Sequence, residues 1–125
     1  MTYKRPREPG PGGNRFQPEQ WEIVIVPFPF SSEPGNKRRP ALVLSHRAFN
    51  QHGHTVLAMI TSAGHPPWPG DAPVADLKAA GLNAPCLVRL KLFTLDNRLI
   101  LKKIGRLAES DRRQVSKQLQ THLRW

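Results

Sequence analysis

Histidines, one cysteine and a surplus of cations are what this 125-residue chain offers to chemistry. The five histidines, His46, His52, His54, His65 and His122, carry the side chain whose unperturbed pKa of about 6.5 suits proton transfer at neutral pH. His52 and His54 flank Gly53 with no acidic or cysteine partner nearby, so they are expected to face solvent, and no metal and no cofactor is expected. Cys86 is the only cysteine, which excludes an internal disulfide and a multi-cysteine metal site and fits a reducing compartment. Nineteen Lys and Arg against nine Asp and Glu leave a formal net charge of +10. Each cation that neutralises a phosphate releases condensed counterions, so a polyanion is the natural partner. Charge alone leaves RNA, DNA and an acidic protein open.

The elements that must position these groups can be read from apolar pattern and turn chemistry. Residues 1–17 are rich in proline, glycine and charge and poor in apolar groups, which predicts a flexible basic arm ahead of one folded domain over 18–125. WEIVIVPFPF reads as a strand ended by proline, SSEPGNKRR as an exposed loop, PALVLS and TVLAMIT as two further strands. The prolines and glycines of SAGHPPWPGDAP argue against regular structure there. Asp76 is placed to cap a helical turn, DLKAA, that Gly81 ends. CLVRLKLFTLD and LILKKIGRL read as strands joined at Asp96-Asn97, and Val115, Leu119 and Leu123 give a helix over 110–125 one apolar face to dock. Trp21, Phe28 and Phe30 are assigned to core and loop support. Short strands, turn signals and a terminal helix predict a mainly β, strongly bent antiparallel barrel with short helices and a C-terminal helix. No stretch of about 18 apolar residues is present to span a membrane.

Seven stretches in one order then carry a resemblance: IVIVPFPF, KRRPALVLS, Phe49-Asn50, AMITS, AGL followed by Pro85, VRLKLFTLD and IGRL. Together, over about residues 20–107, they resemble the MazF/PemK/Kid family of type II toxin-antitoxin mRNA interferases. The resemblance implies an SH3-like barrel of the PemK/CcdB kind, a cytoplasmic homodimer, and metal-independent cleavage of single-stranded RNA. It also implies restraint by an acidic antitoxin on a separate chain, with operator DNA met only through the antitoxin complex.

Site residues follow from matching positions. Arg39 matches the family's catalytic arginine, and its guanidinium fork suits a pentacoordinate phosphorane. Thr61 matches the second catalytic position, where its hydroxyl can donate to a phosphate oxygen or orient the 2′-hydroxyl, with Ser62 beside it. Arg89 matches an arginine that some relatives use to stabilise phosphate or supply a proton. Two residues on, those relatives carry an aspartate as general base; here Lys91 stands there, on the same face as Arg89 by strand alternation. Lys91, Lys37 and Arg38 are therefore taken as substrate-binding cations, and His65, just after Thr61, is the first histidine to test as base. Trp68 is the candidate platform for a stacked base, or alternatively the anchor of its own loop. A non-catalytic toxin of the gyrase-poison kind, or a nucleic-acid-binding repressor on the same fold, stays open as an alternative.

Overall fold

The computed structural model describes residues 17–28 and 37–124. Six strands run in chain order as β1 (Glu22–Phe28), β2 (Lys37–Val43), β3 (His54–Ser62), β4 (Ala72–Pro73), β5 (Cys86–Asp96) and β6 (Lys102–Arg106). Their order across the sheet is β4-β5-β3-β2-β1-β6, and every pairing is antiparallel. Among the described residues three α-helices punctuate them, α1 (Arg47–Asn50), α2 (Leu77–Ala80) and α3 (Glu109–His122), with a 3-10 turn at Asn97–Leu99. The predicted mainly β architecture with a C-terminal helix is what the chain adopts, as a curled antiparallel sheet. No helix among the described residues is long and apolar enough to cross a membrane.

Both faces of the central strands are buried, which is why they read as near-continuous apolar runs rather than clean alternation. On one face Ile23, Leu42, Ala58, Ile60 and Val88 pack with Leu107 and with Val115 of α3. On the other, Val24, Val26, Ala41, Val43 and Leu57 pack with Leu95 and Ile100. The second face is covered because β5 lies beside β3 while β6 lies beside β1, so the short link between them must cross over the intervening strands. Leu101 N–H meets the Ile25 carbonyl at 2.9 Å where that link arrives.

Asp76 caps α2 by accepting the Ala79 N–H at 3.0 Å, and Gly81 ends it in a left-handed conformation at φ +72°, both as the sequence predicts. The glycines at 81 and 105 have a further reason. A Cβ at Gly81 would strike the Ile104 carbonyl, and one at Gly105 would strike the backbone of Ala80, so α2 rests directly on β6. Because α2 follows β4 in the chain, this contact draws the two edges of the curled sheet toward one another.

Four expectations change. Lys37, Arg38 and Arg39 are in β2 rather than in a loop, because they pair with Phe28, Pro27 and Val26 of β1. Ala72–Pro73 is a two-residue strand inside the segment expected to lack regular structure, paired with Val88 and Leu87; an edge position tolerates Pro73 because no neighbour needs its missing N–H. In the last helix Val115 is buried and Leu119 packs on the core, but Leu123 lies past the helix end and is exposed. Phe28 is 41% exposed at the end of β1, not in the core. Trp21 is partly buried against the core. The arm predicted for 1–17 falls, save Gln17, outside the described residues, as do Phe30, most of the SSEPGNKRR segment and Trp125.

The Phe49-Asn50 pair acquires a physical role. Asn50 is fully buried at the end of α1, where its side-chain NH2 donates to the carbonyls of Pro18 at 2.8 Å and Ser45 at 3.0 Å. Its side-chain oxygen accepts from the Ser45 hydroxyl, and its backbone carbonyl accepts from the Asn97 side chain at 2.7 Å. Thr55 completes this hub by donating to Asn97 Oδ1 at 2.6 Å.

Candidate active site at the cationic end of the sheet

At the opposite end of β3 the strands bring the matched residues together. The β2–β3 pairing ends at Ala41 with Met59; two residues beyond it on each strand, alternation puts Arg39 and Thr61 on the same face as that pair. On the other side of β3, Arg89 pairs with Met59, one diagonal step from Thr61. Directly opposed Cβ atoms lie about 4.5–5.5 Å apart and diagonal neighbours about 7–8 Å. Arg39, Thr61 and Arg89 therefore share one face of three adjacent strands. Alternation sends Arg38 and Ser62 to the other face, so the sequence-matched set is divided. Lys37 returns to the Arg39 side, further out along the two-stranded ribbon that β1 and β2 form beyond their pairing with β3.

Arg39 is half-buried and meets no carboxylate among the described residues. Most of the other described carboxylates are engaged elsewhere: Glu19 with Arg47 and Arg106, Glu22 with Lys103, Asp96 with Arg98, Glu109 with Arg113. Asp76 and Asp111 accept backbone N–H groups. At this end of the sheet the carboxylate that counts is Asp71, and the sequence reading did not single it out.

Asp71 holds Arg89 by two parallel bonds, Nε to Oδ1 at 3.1 Å and Nη2 to Oδ2 at 3.0 Å, while Nη2 also donates to the Pro66 carbonyl at 2.9 Å. Both side chains are largely shielded, at 11% and 13% exposure. Burial opposes the ionised Asp71, but the hydrogen bonds from Arg89 and from the Trp68 N–H, together with the guanidinium charge, outweigh it and hold the carboxyl below its ordinary range. The Asp71 hydrogen bond raises the Arg89 pKa in turn.

Trp68-Pro-Gly-Asp71 is itself a turn signature, with proline second and glycine third. It closes with Asp71 N–H on the Trp68 carbonyl at 3.1 Å and Trp68 N–H on Asp71 Oδ2 at 2.9 Å, with Gly70 at φ +84°. The indole is 42% exposed, and Arg89 Cζ and Lys91 Nζ lie over its ring at 5.5 and 5.1 Å from the centroid. Lys91 reaches it from a bulge: Ala58 pairs with Leu92 but Met59 with Arg89, so Leu90 and Lys91 have no counterpart on β3. Two surplus residues leave the odd–even parity of β5 the same on either side of the bulge, and both cations converge on Trp68.

His65 is exposed in the turn that leaves Ser62, its N–H donating to the Ser62 carbonyl at 3.4 Å. Cys86 pairs opposite Ser62, and burial pushes its thiol up, away from an activated thiolate. Among the described residues no group of three or more His, Cys, Asp or Glu is clustered to hold a metal ion.

A profile of PemK-like, MazF-like toxins of type II toxin-antitoxin systems matches residues 19–123. The chain belongs to this family. Endoribonuclease toxin ChpB of Escherichia coli K12 is 49% identical over 49 residues, 38% of this chain and 42% of ChpB, so the chain matches less than half the length of that curated relative. Among solved structures, MazE-MazF (Form-III) from Deinococcus radiodurans superposes with a TM-score of 0.69 at 22% identity, covering 86% of this chain and 97% of that one. Mycobacterium tuberculosis toxin MazF-mt6 gives 0.65 at 22% identity, covering 80% and 93%. An endoribonuclease in complex with its cognate antitoxin from a mycobacterial species gives 0.65 at 16% identity, covering 85% and 94%. These likenesses establish the MazF-like fold.

Proposed function

We propose that the protein is an endoribonuclease toxin that cuts single-stranded RNA in the cytoplasm by attack of the 2′-hydroxyl on phosphorus. The observation that carries this reading is that Arg39 and Thr61 lie on one face of adjacent strands, two residues past the last β2–β3 pair, with Arg39 left without a carboxylate among the described residues. A guanidinium in that position has its donors available for a phosphate. As the 2′-oxygen bonds to phosphorus and the 5′-oxygen departs, charge builds on the non-bridging oxygens, where Arg39 donates to them. Thr61 donates to the same phosphate or orients the nucleophile. The products are a 2′,3′-cyclic phosphate and a 5′-hydroxyl. Lys91 and Lys37 attract the flanking backbone, and Trp68 offers a face to a base. Among the described residues the site has no carboxylate free to take the 2′-hydroxyl proton, since Asp71 is committed to Arg89; His65, close after Thr61 in the chain, is the proton acceptor to test first.

The same cations suit an acidic antitoxin segment from a separate chain, which would compete with RNA for this end of the sheet. The toxin reading carries with it a homodimer, with operator DNA met only in the antitoxin complex. Incubation with a long single-stranded RNA in EDTA is the direct test. Cleavage by the wild type that Arg39→Ala abolishes supports the proposal, and RNA left intact across varied sequences sinks it. That second outcome selects a non-catalytic toxin or binding protein on the same fold, a reading favoured by the replacement of the relatives' aspartate by Lys91.

A further inference from the structure

We infer that Asp71 and Arg89 are positioning residues for base selection: they fix Trp68 as a rigid stacking surface and do not act on the scissile phosphate. The inference deepens the ribonuclease reading above and rests on it for the identity of the ligand. Three observations support it. First, the Nε–Nη2 edge of Arg89, the edge suited to a bidentate phosphate contact, is already filled by Asp71, and Nη2 is shared with the Pro66 carbonyl. A phosphate would have to displace a largely shielded, ionised carboxylate from it. Second, Asp71 closes the turn that presents the indole, binding the Trp68 N–H through Oδ2 while its own N–H binds the Trp68 carbonyl. Third, Gly70 is wedged so closely over the Leu90 side chain that a Cβ there would collide with it, which ties the turn to the β5 bulge. The indole is thus held from its backbone, from its turn and over its ring, yet remains 42% exposed.

A tryptophan held in this way loses little freedom when a base stacks on it, and preorganisation of that kind improves binding at the selected sequence. The expected ligand is therefore one nucleobase of the single strand, next to the phosphate at Arg39 and Thr61. Because a flat indole is tolerant of base identity, its pose decides which neighbouring base reaches it.

The test uses the full chain and compares wild type with Asp71→Asn, Asp71→Glu, Trp68→Ala and the Asp71→Asn/Trp68→Ala double variant. Two readouts are taken: kcat, KM and cleavage profile on a long single-stranded RNA in EDTA, and affinity for a non-cleavable 2′-methoxy oligonucleotide of a sequence the wild type cuts or binds. Trp68→Ala should weaken affinity about 10-fold or more. Asp71→Asn should raise KM more than it changes kcat, shift the cleavage profile in the same sense as Trp68→Ala, and add nothing in the double variant. Asp71→Glu should recover part of the affinity. A lowered kcat with KM and profile unchanged, or effects of Asp71→Asn and Trp68→Ala that add, would overturn the inference and return the pair to phosphate chemistry. Binding that depends on Trp68 and Asp71 without any cleavage would reject the nuclease and keep the clamp. Equal binding by all variants rejects the clamp whether or not RNA is cut.

Discussion

Thr55 and Thr61 lie on the same strand and the same face, at opposite ends of β3, and their surroundings could hardly differ more. Thr55 is fully buried and donates to Asn97, inside a hub where Asn50, Ser45 and Asn97 satisfy one another. Thr61 is half-buried on the same sheet face as Arg39, and neither makes a side-chain hydrogen bond to another described residue. Polar groups that are fully partnered hold a fold together, whereas polar groups aligned but unpartnered are available to a ligand. The function proposed above assigns the first role to Thr55 and the second to Thr61.

The sharpest way to break this comparison is Arg39→Ala. Cleavage should fall about 100-fold or more while the unfolding midpoint stays within error, because no described ion pair is lost; kinetics and urea unfolding on the same preparation check both halves. Next comes the matched pair of valine substitutions. Thr61→Val should cut activity roughly 10- to 100-fold with stability changed by less than about 0.5 kcal/mol. Thr55→Val should do the reverse, costing about 1–3 kcal/mol in urea unfolding because Asn97 loses a buried donor, with kcat/KM retained. If Thr55→Val disables cleavage as strongly as Thr61→Val, the division fails.

A pH series sharpens the contrast further. Asp71 has a lowered pKa, so its contribution is present above the ordinary carboxylate value and is lost as pH falls through the lower value it has in the fold. The Trp68 indole N–H resonance should therefore stay in place from pH 7 down to about 4 and move only below that. The smallest effect concerns the ribbon: Lys37→Ala should weaken RNA binding uniformly and reduce the slope of log affinity against log salt by about 0.7. A sequence-dependent loss would instead make Lys37 a base contact.

Much of this was legible in the chain. Val and Ile runs marked β1, β2 and β3, and Asp76 with Gly81 marked α2 to the residue, because strand composition and caps are local signals. That Arg39 and Thr61 belong to one site was implied only by resemblance. What escaped was non-local. The extension of β2 to Lys37 exists because β1 supplies its partner, and β4 exists because an edge accepts Pro73. The surplus of Leu90 and Lys91 is invisible until β3 is laid beside β5. Asp71 looked like one more loop carboxylate, since its partner Arg89 lies 18 residues away. Only the Trp-Pro-Gly-Asp turn was there to be read, and it specifies the bend without naming the arginine.

The strand order carries one more consequence, in time rather than in space. The centre is assembled from three segments that are distant along the chain, and β5 can take its place only against a finished β3. A polypeptide still emerging from the ribosome holds Arg39 and Thr61 long before the turn at Asp71 has an Arg89 to grip. The stacking surface proposed at Trp68 is thus completed only after the segment that carries Arg89 has been made, later than the strands that carry Arg39 and Thr61.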